Sequence, residues 1–241
     1  MKFKSIAAVL TIISSFTFSA SAQLWNLDFN DAAGVMTGAG VVGSAGDVWN
    51  VATIAPSATP VAITLSDSTG DAGNSISLTY TGNANSGAEG PGTGNPNTLM
   101  GDYFRSNVNM GGGTSAALMQ YDWSGFAPNT TYNVVAYAAS TAGTDRGTIF
   151  FGTIGDSGSE LGKTTGSVID IFDASAEGNA YTTFSITSDG VGAVTFYSNF
   201  NSATSTQSPV NGFQISAVPE PATFTLAGFG LLTLALARRK R

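Results

Sequence analysis

The chain has 241 residues, 42% of them hydrophobic and only 10% charged, with a net charge of −7 and neither cysteine nor histidine. Lacking both residues, it has no disulfide framework, and most zinc, copper and haem sites lose their usual ligands; Ser-His-Asp and Cys-His catalysis are excluded as well. Gly, Ser, Thr and Asn take the place of charge, a balance that suits short strands and many turns and does not suit helices with charged outer faces.

Charge is unevenly placed. Residues 23–218 hold three basic residues (Arg105, Arg146, Lys163) and fifteen acids, a net −12. Such a surface repels polyanions, so a nucleic-acid role is rejected. The remaining basic residues sit at the two ends.

Residues 1–22 read as a secretory signal peptide. Lys2 and Lys4 form a positive start and an apolar run covers residues 6–18. Ala20-Ser21-Ala22 then presents small side chains to a signal peptidase. Cleavage between Ala22 and Gln23, after passage through the Sec translocon, would leave Gln23 as the mature N-terminus.

Residues 23–216 read as one domain of β-structure. Period-two alternation marks strands around Ile63 and Leu65, around Ile76, Leu78 and Tyr80, around Phe184 and Ile186, around Val194 and Phe196, and around Phe213 and Ile215. Residues 132–137 and 148–151 read as more fully buried strands, and residues 24–29 and 47–54 add two near the start. Ten or eleven strands spaced by turn signals predict a single jelly-roll-like antiparallel β-sandwich. Residues 82–98 read as a Gly/Asn/Pro-rich loop, followed by a short helical turn over residues 99–104. The segment GFAPNTTYNVVAY, residues 125–137, resembles the tyrosine corner of fibronectin-type sandwiches, which implies that the Tyr132 hydroxyl returns to nearby backbone.

Three kinds of site are considered within this body. Sugars stack on aromatic rings while amides and carboxylates bond their hydroxyls. Trp25, Trp49, Trp123, Tyr103 and Tyr121 lie near Asp28, Asn50, Asp102 and Asp122 in sequence. Trp49 and Trp123 are the candidate glycan contacts, because Asp47, Asn50 and Asp122 beside them suggest exposure. The acidic stretch from Asp67 to Asn74 offers oxygen ligands for calcium, yet it lacks the Gly and Glu positions of an EF-hand loop and reads better as an Asx-rich turn. Glu89, Glu160 and Glu177, the glutamates of the body, fall in Gly- or Ser-rich surroundings with no spacing that pairs two carboxylates for glycoside hydrolysis. No catalytic residue, cofactor or metal site is assigned. A non-catalytic protein is expected, with a carbohydrate-active enzyme or a purely structural component as alternatives.

The last 25 residues are tripartite: Pro219-Glu220-Pro221, an uncharged apolar stretch over 222–237, and Arg238-Arg239-Lys240-Arg241. The prolines hold the first part extended, as a protease substrate requires. Sixteen helical residues span about 24 Å, somewhat short of a ~30 Å hydrocarbon core, a gap that snorkelling or local thinning can cover. Four basic residues stop translocation and keep the end cytoplasmic. The string VPEPATFTLAGFGLLTLALARRKR resembles the PEP-CTERM sorting domain. The resemblance implies recognition by an exosortase-type protease, transient anchoring in the inner membrane, and release or attachment at the cell envelope of a Gram-negative bacterium that makes exopolysaccharide or biofilm. A polysaccharide is the further partner that this setting implies.

Overall fold

A computed structural model describes residues 23–30, 36, 38–53, 60–82, 84–88, 99, 102–107, 118–140, 146–153, 157–166, 175–200 and 207–218. The signal segment with Ala20 and Ala22, the motif Pro219-Glu220-Pro221, the apolar stretch 222–237 and Arg238 to Arg241 lie outside them, as does Glu89.

Fourteen strands are found among the described residues: β1 (Leu24–Asn30), β2 (Asn50–Thr53), β3 (Val61–Leu65), β4 (Ile76–Gly82), β5 (Ala84–Ala88), β6 (Asp102–Asn107), β7 (Met119–Ser124), β8 (Thr131–Tyr137), β9 (Thr148–Phe151), β10 (Glu160–Lys163), β11 (Tyr181–Thr187), β12 (Val194–Phe200), β13 (Gln207–Val210) and β14 (Gly212–Ala217). Five form one sheet in the order β11-β8-β14-β1-β2, and six form a second in the order β10-β9-β12-β7-β4-β3. The two sheets pack face to face as a sandwich. The order β13-β6-β5 makes a third, small sheet.

The expected all-β sandwich is present, with three corrections. The sheets are not wholly antiparallel, since β1 and β2 run parallel. Part of the predicted helical turn at 99–104 belongs to strand β6, and part of the predicted loop 82–98 is strand β5. Their Gly, Asn and Ser content hides them: neighbouring strands supply the pairing that propensity does not.

Alternation places the core. In β7, Met119, Tyr121 and Trp123 turn inward while Gln120 and Asp122 stay half-buried on the outer face. In β11, Phe184 and Ile186 turn inward, with Thr183, Ser185 and Thr187 exposed. Phe213 on β14 sits at the centre, its ring 5.1–6.2 Å from those of Phe29, Tyr121, Trp123, Phe150 and Phe196. Burying side chains of this size contributes roughly 1.5–3 kcal/mol each, and edge-to-face ring pairs add to it. With no disulfide available, this aromatic cluster is the main source of cohesion.

A second, smaller core covers the other face of the five-stranded sheet. Val135, Tyr137 and Ala139, at and just beyond the end of β8, pack with Met36, Trp49, Leu99, Ala176 and Ala180. This explains the unbroken apolar run of β8, whose residues 134–137 are all buried because both faces are covered. At the other end of the strand, the Tyr132 hydroxyl accepts the Ala127 backbone N–H at 2.9 Å. The sequence resemblance implied such a return to the backbone. Asn129 sits in the turn between, with φ of 53°, a conformation that Asn tolerates better than most residues.

Candidate functional site

The sorting tail is reached through β14. This strand lies between β1 and β8, so both its edges are paired. The ladder runs to its last residues: Ala217 donates to the Gln23 carbonyl at 3.0 Å and Val218 to the Thr131 carbonyl at 3.1 Å. The next residue is Pro219, which has no N–H to donate, so the ladder cannot gain a further donor there. The strand therefore gives way to the Pro-Glu-Pro motif at a defined point. Gln23, the expected mature N-terminus, is bonded beside that point.

Four of the five aromatic residues singled out from the sequence, Trp25, Trp49, Tyr121 and Trp123, are buried and offer no surface platform. Trp49 and Trp123 are 5% and 2% exposed, which overturns the expectation that they are open to solvent. Trp123 stacks on Phe196 at 6.3 Å inside the sandwich. Trp49 packs on Tyr137 and donates its indole N–H to the Gly38 carbonyl at 2.8 Å. Two of the polar neighbours that suggest exposure bond nearby backbone, and Asp122 accepts from the Gln120 amide and the Thr195 hydroxyl. Asp47 accepts from the Ser44 N–H and hydroxyl, and Asn50 donates to the carbonyls of Asn26 and Ser66. Trp25 and Tyr121 are buried too, Tyr121 with its hydroxyl 3.1 Å from that of Ser198. The side chains of Tyr103 and Asp102 lie outside the described residues.

Beneath residues 38–49 the sequence reading missed a buried amide network. Gln214 on β14 accepts from the Tyr137 hydroxyl at 2.5 Å and the Val42 N–H at 3.1 Å. Its amide donates to Asn26 Oδ1 at 2.8 Å and the Val42 carbonyl at 2.9 Å. Tyr137 also accepts the Val41 N–H at 2.8 Å. Burial pushes the Tyr137 hydroxyl well above its ordinary value, so it keeps its proton and remains a donor. The network pins residues 38–49 onto the sheet. The polar residues alternating with Trp25, Leu27, Phe213 and Ile215 were its only trace in the sequence.

The acidic stretch from Asp67 behaves as a turn. Asp67 Oδ1 accepts from the Thr69 N–H (2.9 Å), the Thr69 hydroxyl (2.6 Å) and the Asp71 N–H (3.0 Å), and Oδ2 accepts from the Asn74 amide at 3.2 Å. The Thr69 hydroxyl is the main reason that the Asp67 carboxyl is held below the usual carboxylate range. Oxygens bonded in this way organise the loop. Among the described residues no group of three or more acidic side chains is placed to hold a metal ion. Of the glutamates considered, Glu160 pairs with Lys163 at 3.0 Å on β10, and Glu177 accepts from the Thr183 hydroxyl beside β11. Glu160 opens β10, whereas Glu177 lies before β11 in an isolated bridge to Tyr181, outside the named strands.

What the described residues define is a β-sandwich of two main sheets, and the sequence continues past it into the tripartite tail. Residues 217–241 match the family model of the PEP-CTERM protein-sorting motif. The motif marks an exported protein with a C-terminal membrane anchor that an exosortase processes. No curated protein matches the chain.

Proposed function

We propose that the protein is a non-catalytic component of the cell envelope or extracellular matrix that associates with polysaccharide. The observation that carries this reading is the sorting motif directly after β14. A signal peptidase removes residues 1–22 after Sec-dependent export. The stretch 222–237 holds the chain in the inner membrane as a transmembrane helix, with Arg238 to Arg241 in the cytoplasm, and an exosortase-type protease then acts near Pro219-Glu220-Pro221. The body 23–216 remains outside as a jelly-roll-like module. Repeated crossing of the chain from one sheet to the other between β7 and β14 supports that finer description. Two observations favour a passive role: the aromatic core, and the Asp67 carboxylate bound up in its turn.

The test is the intact mass of the protein from its host, with and without the exosortase. A mass ending near residues 218–221, lengthening to the full tail when the protease is absent, is expected. Retention of Arg238 to Arg241 in both strains would refute the sorting step.

A further inference from the structure

We propose that the outer face of the six-stranded sheet is a binding surface for an uncharged polysaccharide, centred on Tyr197 and Phe151. The inference rests on the extracellular reading above and gives it a site. Strand register, not sequence proximity, assembles the surface. Tyr197 on β12 is directly opposite Phe151 on β9 and Gln120 on β7, and Gln120 is opposite Thr81 on β4. A row Phe151–Tyr197–Gln120–Thr81 thus crosses four adjacent strands, roughly 14 Å at the usual strand spacing. A parallel row follows, with Thr195 opposite Asp122 and Asp122 opposite Thr79.

Both rings are partly exposed, unlike the large aromatics turned into the sandwich. Ile149 and Asn199, paired two residues along, share this face, so half-buried apolar side chains on β9 and β12 adjoin Thr, Gln and Asp on β7, β12 and β4. That combination suits a sugar chain: flat apolar faces for its C–H surface, amides and hydroxyls for its hydroxyl groups. The polar partners are already ordered. The Gln120 amide donates to both Asp122 oxygens at 2.9 and 2.8 Å, and the Thr195 hydroxyl donates to Asp122 Oδ1 at 2.7 Å. Pre-ordered groups lose less entropy on binding.

Charge selects the occupant. Beside these rows, Lys163 on β10 is paired with Glu160, and Asp122 is the acid within them. The face therefore offers no unpaired cation among the described residues, and the body carries net −12. An anionic polysaccharide would be repelled. A neutral glycan meets hydrogen-bonding groups without that penalty.

The exported protein, purified from its host, is run in native gels containing hydroxyethyl cellulose or dextran as neutral probes and alginate as the anionic one. Retardation by a neutral probe and not by alginate is expected. Tyr197→Ala should weaken it up to about tenfold, the worth of one well-placed ring contact, whereas Tyr197→Phe should keep most of it. Circular dichroism checks the fold. If Tyr197→Ala fails to fold, Gln120→Ala on the same row is read in its place and should also weaken retardation. Absence of retardation by both neutral probes, retardation by alginate alone, or undiminished binding in the folded variants would overturn the proposal. So would a dimer in sedimentation that Tyr197→Ala dissolves, because the face would then be an interface between two copies. Correctly trimmed protein that ignores neutral glycans would sink this site and leave the sorting reading standing.

Discussion

Replacing Gln214 by Leu tests whether the buried amide network holds residues 38–49 in place. Leucine is close to glutamine in size, so the substitution removes the four hydrogen bonds of Gln214 with little change of volume. Val42 is 37% exposed, and water can take over its N–H and carbonyl. Two groups cannot be rescued in this way: the Tyr137 hydroxyl proton and Asn26 Oδ1, both on fully buried residues. A buried polar group left without its partner costs about 1–3 kcal/mol, so Gln214→Leu should lose about 2–6 kcal/mol. Domains are stable by only about 5–15 kcal/mol, which makes this a large share. Urea unfolding of the purified protein measures it, with an unchanged m-value expected if the native surface is otherwise preserved. Tyr137→Phe combined with Gln214→Leu should cost less than the sum of the two single changes, because they share a bond. A loss below about 1 kcal/mol for Gln214→Leu would refute the reasoning.

Other outcomes follow from the same geometry. A Cβ at Gly40 would fall on Gln214 Oε1 and the Tyr137 hydroxyl, so Gly40→Ala should cost about 1–3 kcal/mol in the same urea assay. The chain's three tryptophans, Trp25, Trp49 and Trp123, are all buried, so native emission should be blue-shifted and barely quenched by acrylamide. Neutral polysaccharide should leave that spectrum unmoved; a shift on addition would mean that an indole is at the surface. The carboxyls of Asp67 and Asp189 are held low, Asp67 chiefly by the Thr69 hydroxyl and Asp189 chiefly by the Ala193 N–H. A lowered folded value contributes stability that is complete above the unfolded value of about 3.9 and is lost as pH falls through the folded one. Urea midpoints should therefore decline below about pH 4, and Asp67→Asn, which keeps an acceptor but cannot titrate, should flatten part of that decline.

Strands with strong local alternation, such as those around Leu78 and Phe184, were legible from sequence. Strand β7 carries the same signal in Met119, Tyr121 and Trp123, yet Asp122 among its rings makes them resemble sugar platforms. Alternation says that the two belong to opposite faces, and the structure puts the ring inside and the acid outside. Trp49 misled for a different reason. It belongs to a second core made by residues brought from 36, 99, 137 and 176–180, and no local pattern announces such coverage. Strands β5 and β13 have little propensity of their own and are paired by β6. The proposed glycan surface was hidden in the same way: Phe151, Tyr197 and Gln120 are far apart in the chain and meet only through register. The sorting tail was fully legible because its order of parts is itself linear.

The position of β14 also bears on time. It is a central strand of its sheet, yet it comes last, and Gln214 bonds to Asn26 across 188 residues of sequence. A chain exported N-terminus first delivers β1 early and must hold it unpaired on that side. Until residue 217 has crossed, no hydrogen-bonded strand can join β11 and β8 to β1 and β2, because β14 is the strand between them. Contacts this distant in sequence form slowly. The strand that joins the two pairs runs directly into the sorting motif, so closure of the sandwich and delivery of the sorting signal become nearly simultaneous. A chain truncated before β14 would therefore reach the far side with neither a finished fold nor a destination.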